Sequence, residues 1–362
     1  MADLPRTLAV RLDSDGDVVL MGPALRALRA GSSRLDLLVA PTGLEAARLL
    51  PGIDEVLVLD PSWTGLDPAP VDPGAVLCLV EDLRVRHHDT AVVFTSYHQS
   101  PLPMALVARL AGIAAVAATS DDHPGSLLDV RHRRLPGRDD DGGPDGGHEV
   151  AAALRLAEAA GFPLPSGDDG RLRLRPLPVS PRADGGGRGR VVVHPGASVP
   201  SRAMGPGLAR AAALALLADG WDVVVTGGPA EREACIAATP DGATCLAGRT
   251  SLAELAAEIA GAVAVVVGNT GPAHLAAAVG TPVVSLFSPV VPLERWRPWG
   301  VPHVVLGDQH AACRGTRARE CPVPGHPCLS TVSATDVSDA VRRLAGIPTT
   351  APVHAAWAEG AS

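Results

Sequence analysis

The sequence predicts an α/β protein of two parallel-sheet domains. Three observations carry this. Short Val- and Ala-rich runs of strand length alternate with helix-like segments along most of the chain. The plan halts at a stretch rich in Pro, Gly and Arg and then restarts. The chain's 362 residues suffice for two domains, each with its own core. Apolar residues make up 46% but aromatic ones only 2%, so the cores must be built from Ala, Val and Leu. A net charge of −8 and the lack of any lysine argue against nucleic acid as a partner. Residues 1–6 include an acid and lead directly into a strand-like run, unlike a signal peptide. The apolar runs fall short of the roughly 20 residues of a transmembrane helix. The expected location is therefore cytoplasmic, with peripheral membrane contact left open.

In chain order, residues 7–12 read as a strand, Asp13-Ser14-Asp15-Gly16-Asp17 as an acidic turn, and 18–30 as one helix stopped by Gly31. Strand-like runs at 35–40, 55–59, 91–95 and 114–118 are separated by helical patterns at 43–50, 76–86 and 103–110. Residues 120–147 form a long loop of mixed charge, and 148–161 a helix. The expected boundaries are a first domain over 1–165, a linker over 166–189, a second domain over 190–346 and a frayed tail over 347–362. The second domain begins with a strand at 190–194, the turn Pro195-Gly196-Ala197-Ser198 and a helix at 207–218. A strand at 222–226 follows, then the turn Gly227-Gly228-Pro229 and a helix through Glu231. A helix over 251–261 is opened by a capping box, Ser251 with Glu254 three residues on. Next comes the stretch 263–289: an apolar strand, the turn Asn269-Thr270-Gly271, an alanine-rich helix opened by Pro272 and closed by Gly280, and a second apolar run. A strand at 304–306 and a helix at 334–344 complete the plan.

Ligands of open parallel sheets gather outside the carboxyl ends of the strands, so the βα turns are the places to search. The backbone N–H groups of the turn at 269–271 and the partial positive charge of the helix behind it suit a phosphate or diphosphate. An ordinary helix-capping turn explains the same residues. Ser198 and the turn glycines Gly227 and Gly228 allow close approach, and Arg202 supplies a cation that can grip phosphate oxygens. Glu231 can accept hydrogen bonds from ribose hydroxyls or simply stand at a helix N-terminus, and His274 can face a ligand or be buried structurally. Asp17 is either a base beside a hydroxyl or an N-cap. The acidic turn that holds it repels phosphate.

Taken together, the segments LAVRLDSDGDVVLMGPALRAL, VVVHPGASVPSRAM, VVVTGGPAERE and VVVGNTGPAHLAAAVGTPVVSLFSP, in this order and spacing, resemble glycosyltransferase family 9, the ADP-heptose heptosyltransferases. The resemblance extends to about residue 345. It implies a GT-B fold of two Rossmann-like domains facing a cleft, the acceptor on the first and the nucleotide sugar on the second. It also implies inverting transfer without a metal or other cofactor, with ADP-heptose as donor. The family's catalytic aspartate falls on Asp17, its phosphate-binding Thr-Gly on Thr270 and Gly271, and the histidine after it on His274. The chain departs from the family in two places. Arg202-Ala203 replaces lysine and an aromatic residue, and Asn269 replaces an aspartate that contacts the donor sugar, which leaves the sugar open. The acceptor is a glycan, a glycolipid or a small metabolite; Arg131, Arg133, Arg134 and Arg138 would suit an anionic one. The alternatives are a GT-B enzyme acting on a UDP sugar and a nucleotide-sugar-binding protein without catalysis. Cys313, Cys321 and Cys328 with His310 and His326 admit zinc. Their spacing lacks a paired CxxC and relatives carry similar late cysteines, so a structural loop is expected instead.

Overall fold

The computed structural model describes residues 4–65, 68–96, 98–134, 147–180 and 188–347, and the chain divides into two compact units, Met1–Arg175 and Pro176–Ser362. Arg138 and the tail beyond residue 347 lie outside the described residues.

Unit 1 runs β1 (Arg6–Arg11), α1 (Asp15–Leu20), α2 (Gly22–Ala30), β2 (Arg34–Val39), α3 (Leu44–Leu49), β3 (Glu55–Val58), α4 (Pro73–Arg84), β4 (Thr90–Phe94), α5 (Leu102–Leu110), β5 (Ala115–Thr119), β6 (Val130–His132) and α6 (Glu149–Ala159). Its six strands lie in the order β3-β2-β1-β4-β5-β6, every pair parallel. The order reverses between β1 and β4, and there the connections leave opposite faces of the sheet and open a crevice. The helix expected over 18–30 is two helices. It breaks at Met21 because Pro23, in the first turn of α2, has no N–H to continue the ladder.

Unit 2 runs β7 (Arg190–His194), α7 (Pro206–Ala218), β8 (Asp222–Val225), α8 (Arg232–Ala238), β9 (Thr244–Cys245), α9 (Leu252–Ala260), β10 (Ala262–Gly268), α10 (Gly271–Val279), β11 (Val283–Leu286), α11 (Leu293–Trp296), β12 (His303–Leu306), α12 (Pro327–Ser330) and α13 (Ala334–Leu344). Its sheet order, β12-β11-β10-β7-β8-β9, repeats the plan of unit 1 and reverses between β7 and β10. The core is aliphatic: Val191, Val193, Val223, Val225, Ala264, Val266 and Val284 are wholly buried. The central strands are buried on both faces, so they read as continuous apolar runs without alternation. Both groups of Ser251–Glu254 make their capping-box bonds, and Gly280 closes α10 at φ +83°, a conformation that favours glycine.

Candidate functional site

In unit 1 the acidic turn after β1 divides its three carboxylates among three environments. Asp15 accepts the N–H of Ala46 at 2.9 Å and so caps α3. Asp13 lies 2.7 Å from Nε of Arg11 and accepts Gln99 Nε2 at 2.6 Å, with the Ser96 hydroxyl at 3.4 Å. Asp17 accepts Arg11 Nη2 at 3.2 Å and the Ser14 hydroxyl at 3.1 Å. The N-cap of α1 is Ser14 and Asp17 stands inside the first turn, which corrects the N-cap reading of Asp17. Among these ion-paired groups Asp17 reaches solvent most, its side chain 20% exposed against 8% for Asp13 and 4% for Arg11. Burial pushes the Asp13 carboxyl up to about 6; Arg11 opposes this and the charge of Asp17 adds to it.

A buried guanidinium needs paired carboxylates. Arg11 has Asp13, Asp17, Ser96 at 3.1 Å and Glu149 at 3.9 Å. Glu149, at the start of α6 and 3% exposed, also takes Arg134 Nη1 at 2.7 Å. Arg134 is therefore a buried partner of Glu149, Arg131 donates to the carbonyls of Ser120 and Asp121, and Arg133 is exposed. Sequence reasoning missed Arg11, Asp13, Ser96, Gln99 and Glu149. The available signal was Arg11 itself, a charge at the carboxyl end of a strand directly after the apolar Leu8–Val10.

In unit 2 the predicted residues collect at the carboxyl ends of β7, β8 and β10. Ser198 is exposed on the loop after β7, and Arg202 ends a short turn, Pro200–Arg202, anchored where Ser201 donates its N–H to Arg319 and its hydroxyl to Ala318. The loop crosses the end of β10: a Cβ on Gly268 would sit 2.4 Å from the Arg202 carbonyl oxygen. Glu231 accepts the N–H of Gly228 at 2.7 Å, lies 3.7 Å from His194 Nε2, and packs so closely on Gly196 that a Cβ there would stand 2.0 Å from the carboxylate. Gly227 is similarly closed in, a Cβ there meeting Cys235 Sγ at 2.4 Å. Burial lowers the affinity of His194 for a proton, with Glu231 opposing, while its Nδ1 bonds the Thr226 hydroxyl at 3.0 Å.

Asn269 is buried and clips β10 to the end of β11: its Nδ2 donates to the Ser288 carbonyl at 3.3 Å and its Oδ1 accepts the Ser288 N–H at 3.2 Å. Thr270 is the N-cap of α10, Gly271 its first residue, and His274 a buried member of its first turn. Among the described residues no group of three or more His, Cys, Asp or Glu is disposed to hold a metal ion. Cys328 instead donates to the Ser288 hydroxyl at 3.8 Å and Cys321 to the Val323 carbonyl at 3.3 Å. No described helix is long and apolar enough to cross a membrane.

The repeated sheet order, with polar turns at both crevices, defines the class as a two-unit, Rossmann-like α/β protein. Residues 148–326 match the model of "Glycosyltransferase family 9 (heptosyltransferase)". A lipopolysaccharide heptosyltransferase 3 of Escherichia coli is 36% identical over 145 residues, 38% of this chain and 41% of the relative, so the match spans under half of that protein's length. The fold matches a glycosyl transferase family 9 structure from Veillonella parvula at TM-score 0.75, with 16% identity over 95% of this chain and 98% of that one. It also matches the E. coli ADP-heptose lps heptosyltransferase II at 0.69, with 20% identity over 94% and 98%. Residues 148–326 thus resemble glycosyltransferase family 9, and the fold is that of the heptosyltransferase structures.

Proposed function

We propose that this protein is an inverting glycosyltransferase that moves a sugar, heptose from ADP-heptose, to an acceptor hydroxyl without a metal. The observation that carries the reading is the pair of crevices. At the one in unit 1 a partly exposed carboxylate, Asp17, is held by Arg11 and Ser14; at the one in unit 2 the loop that ends at Arg202 crosses Gly268, at the end of β10 just before α10 begins. The family match over residues 148–326 and the name of the E. coli ADP-heptose enzyme support the donor class.

Inverting transfer needs a base to take the acceptor proton and an electropositive cradle for the departing diphosphate. Asp17 is the base. Thr270, Gly271, the amides near Ser198 and Arg202 form the cradle, and Gly227, Gly228, Glu231 and His274 line the nucleoside end. Asn269 engages a backbone on both of its polar atoms, so it does not bring the charge that an aspartate would bring to a donor sugar. Arg133 is the exposed arginine available to an anionic acceptor, a glycan, glycolipid or metabolite. Calorimetry with ADP, UDP and GDP tests the reading: ADP binds most tightly, and selective UDP binding would instead favour an enzyme of UDP sugars. Full loss of turnover in EDTA, restored by Mg²⁺ or Mn²⁺, would refute the metal-free mechanism.

A further inference from the structure

The second carboxylate of the unit 1 crevice, Asp13, has no part in that mechanism, yet it touches the arginine that holds the base. Arg11 is the shared counter-ion. Its Nε side faces Asp13 at 2.7 Å, while Nη2 is divided among Asp17 at 3.2 Å, Ser96 at 3.1 Å and Glu149 at 3.9 Å. A guanidinium carries a single charge that the carboxylates around it must share, and Asp13, an ion-pair contact 2.7 Å from Nε, competes with Asp17 for it. We propose that Asp13 is a positioning residue: in its ionised form it holds Arg11 back from full pairing with Asp17, so that Asp17 can take the acceptor proton. This rests on the reading of Asp17 as the base.

The surroundings of Asp13 make its charge adjustable in the neutral range. Arg11 reaches it from β1, Asp17 stands across Arg11 on α1, and the loop after β4 brings the neutral Gln99 and Ser96. From α6 comes Glu149, itself paired with Arg134 beyond the end of β6. Burial dominates and pushes the carboxyl up to about 6, while the Gln99 hydrogen bond favours the ionised form. Below that pH Asp13 is neutral and Arg11 turns its charge on Asp17 and Glu149. Above it the charge of Arg11 is shared, and transfer proceeds. The chain carries its own acid cut-off next to the base.

The test follows ADP release from ADP-heptose against pH, with water as the accepting hydroxyl, in wild type, Asp13→Asn, Gln99→Met and Asp17→Asn, with melting temperatures recorded. The wild-type rate rises through about pH 6. In Asp13→Asn the plateau falls about tenfold and that rise disappears. In Gln99→Met, where Asp13 keeps its charge but loses a hydrogen bond, the rise moves to higher pH. A rate lowered equally at every pH, with the rise unmoved and melting depressed, would show a structural role only and overturn the proposal. Should Asp13→Asn not fold, an unmoved rise in Gln99→Met overturns it alone. An Asp17→Asn protein with wild-type release sinks the base assignment; a dead Asp17→Asn beside an unaltered Asp13→Asn profile sinks the role of Asp13 only. The carbon-13 signal of the Asp13 carboxyl, assigned as the one missing from Asp13→Asn or shifted in Gln99→Met, gives a readout independent of turnover. Its midpoint lies near 6 and falls in Asp17→Asn, and a midpoint indifferent to Asp17 contradicts the coupling.

Discussion

Asn269 shows what one atom decides. The Ser288 backbone offers it both an N–H and a carbonyl, and an amide satisfies both where a carboxylate could satisfy only the first. In Asn269→Asp a buried carboxylate would face a carbonyl oxygen that has lost its donor. The expected cost is about 1–3 kcal/mol, seen as a lower melting temperature that recovers partly on acidification, when the carboxyl is protonated and can donate again. Unchanged melting would show that the clip contributes nothing. The sequence displayed Asn269 as a departure from a family pattern, but its reason lay in Ser288, nineteen residues on. Asp13 and Asp15 were unreadable in the same way. Adjacent acids in one turn look alike until the fold gives one of them Arg11 and the other the N–H of Ala46.

Elements show which parts of a pattern survive without tertiary context. Long apolar strands and capped helices were legible because their signals are local: the strand at 190–194 and the helix at 334–344 stand where periodicity placed them. The edge strands β6 and β9 were missed. They are three and two residues long, VRH and TC, and their pairing comes from a neighbour and not from their own hydrophobicity. Beyond α6, residue 168 is tied to α2: Asp168 accepts Arg26 Nε at 2.6 Å and Nη2 at 2.8 Å, and Arg175 donates to the carbonyls of Leu50 and Ile53. The Arg26 hydrogen bond, with burial opposing, holds the Asp168 carboxyl down to about 2. A carboxyl depressed from 3.8 to about 2 stabilises the fold above its unfolded value and loses that contribution as pH falls from about 4 toward 2. Arg26→Ala should therefore lower stability at neutral pH, by about 1.5–3 kcal/mol, and have little effect near pH 2. Equal loss at both pH values, in denaturant titrations, would rule out the ion pair as the cause. In unit 2 the crossing of the Arg202 loop over β10 depends on Gly268. Gly268→Ala must displace backbone, so ADP affinity should fall at least tenfold in calorimetry, whereas wild-type affinity would separate that loop from the nucleotide site.

At the scale of the molecule, two sheets of the same strand order each open a crevice where that order reverses, and the two crevices differ in charge. The one after β1 gathers Asp13, Asp17 and Glu149 around Arg11; the one after β7 and β10 offers glycines, hydroxyls and a helix start. That division of labour, base on one unit and diphosphate on the other, is the central claim, and Asp17→Asn tests it most directly. The substitution keeps the size of the side chain and one acceptor oxygen, which Arg11 can use, while the amide nitrogen in place of Oδ2 donates to the Ser14 hydroxyl instead of accepting from it; Ser14 already holds the N-cap position, so no capping loss confuses the result. ADP release from ADP-heptose, ADP affinity and melting temperature should be measured on one preparation. Turnover reduced by roughly 10²–10⁴ with ADP affinity and melting unchanged is the predicted result, and wild-type turnover would contradict the assignment of Asp17 as the base.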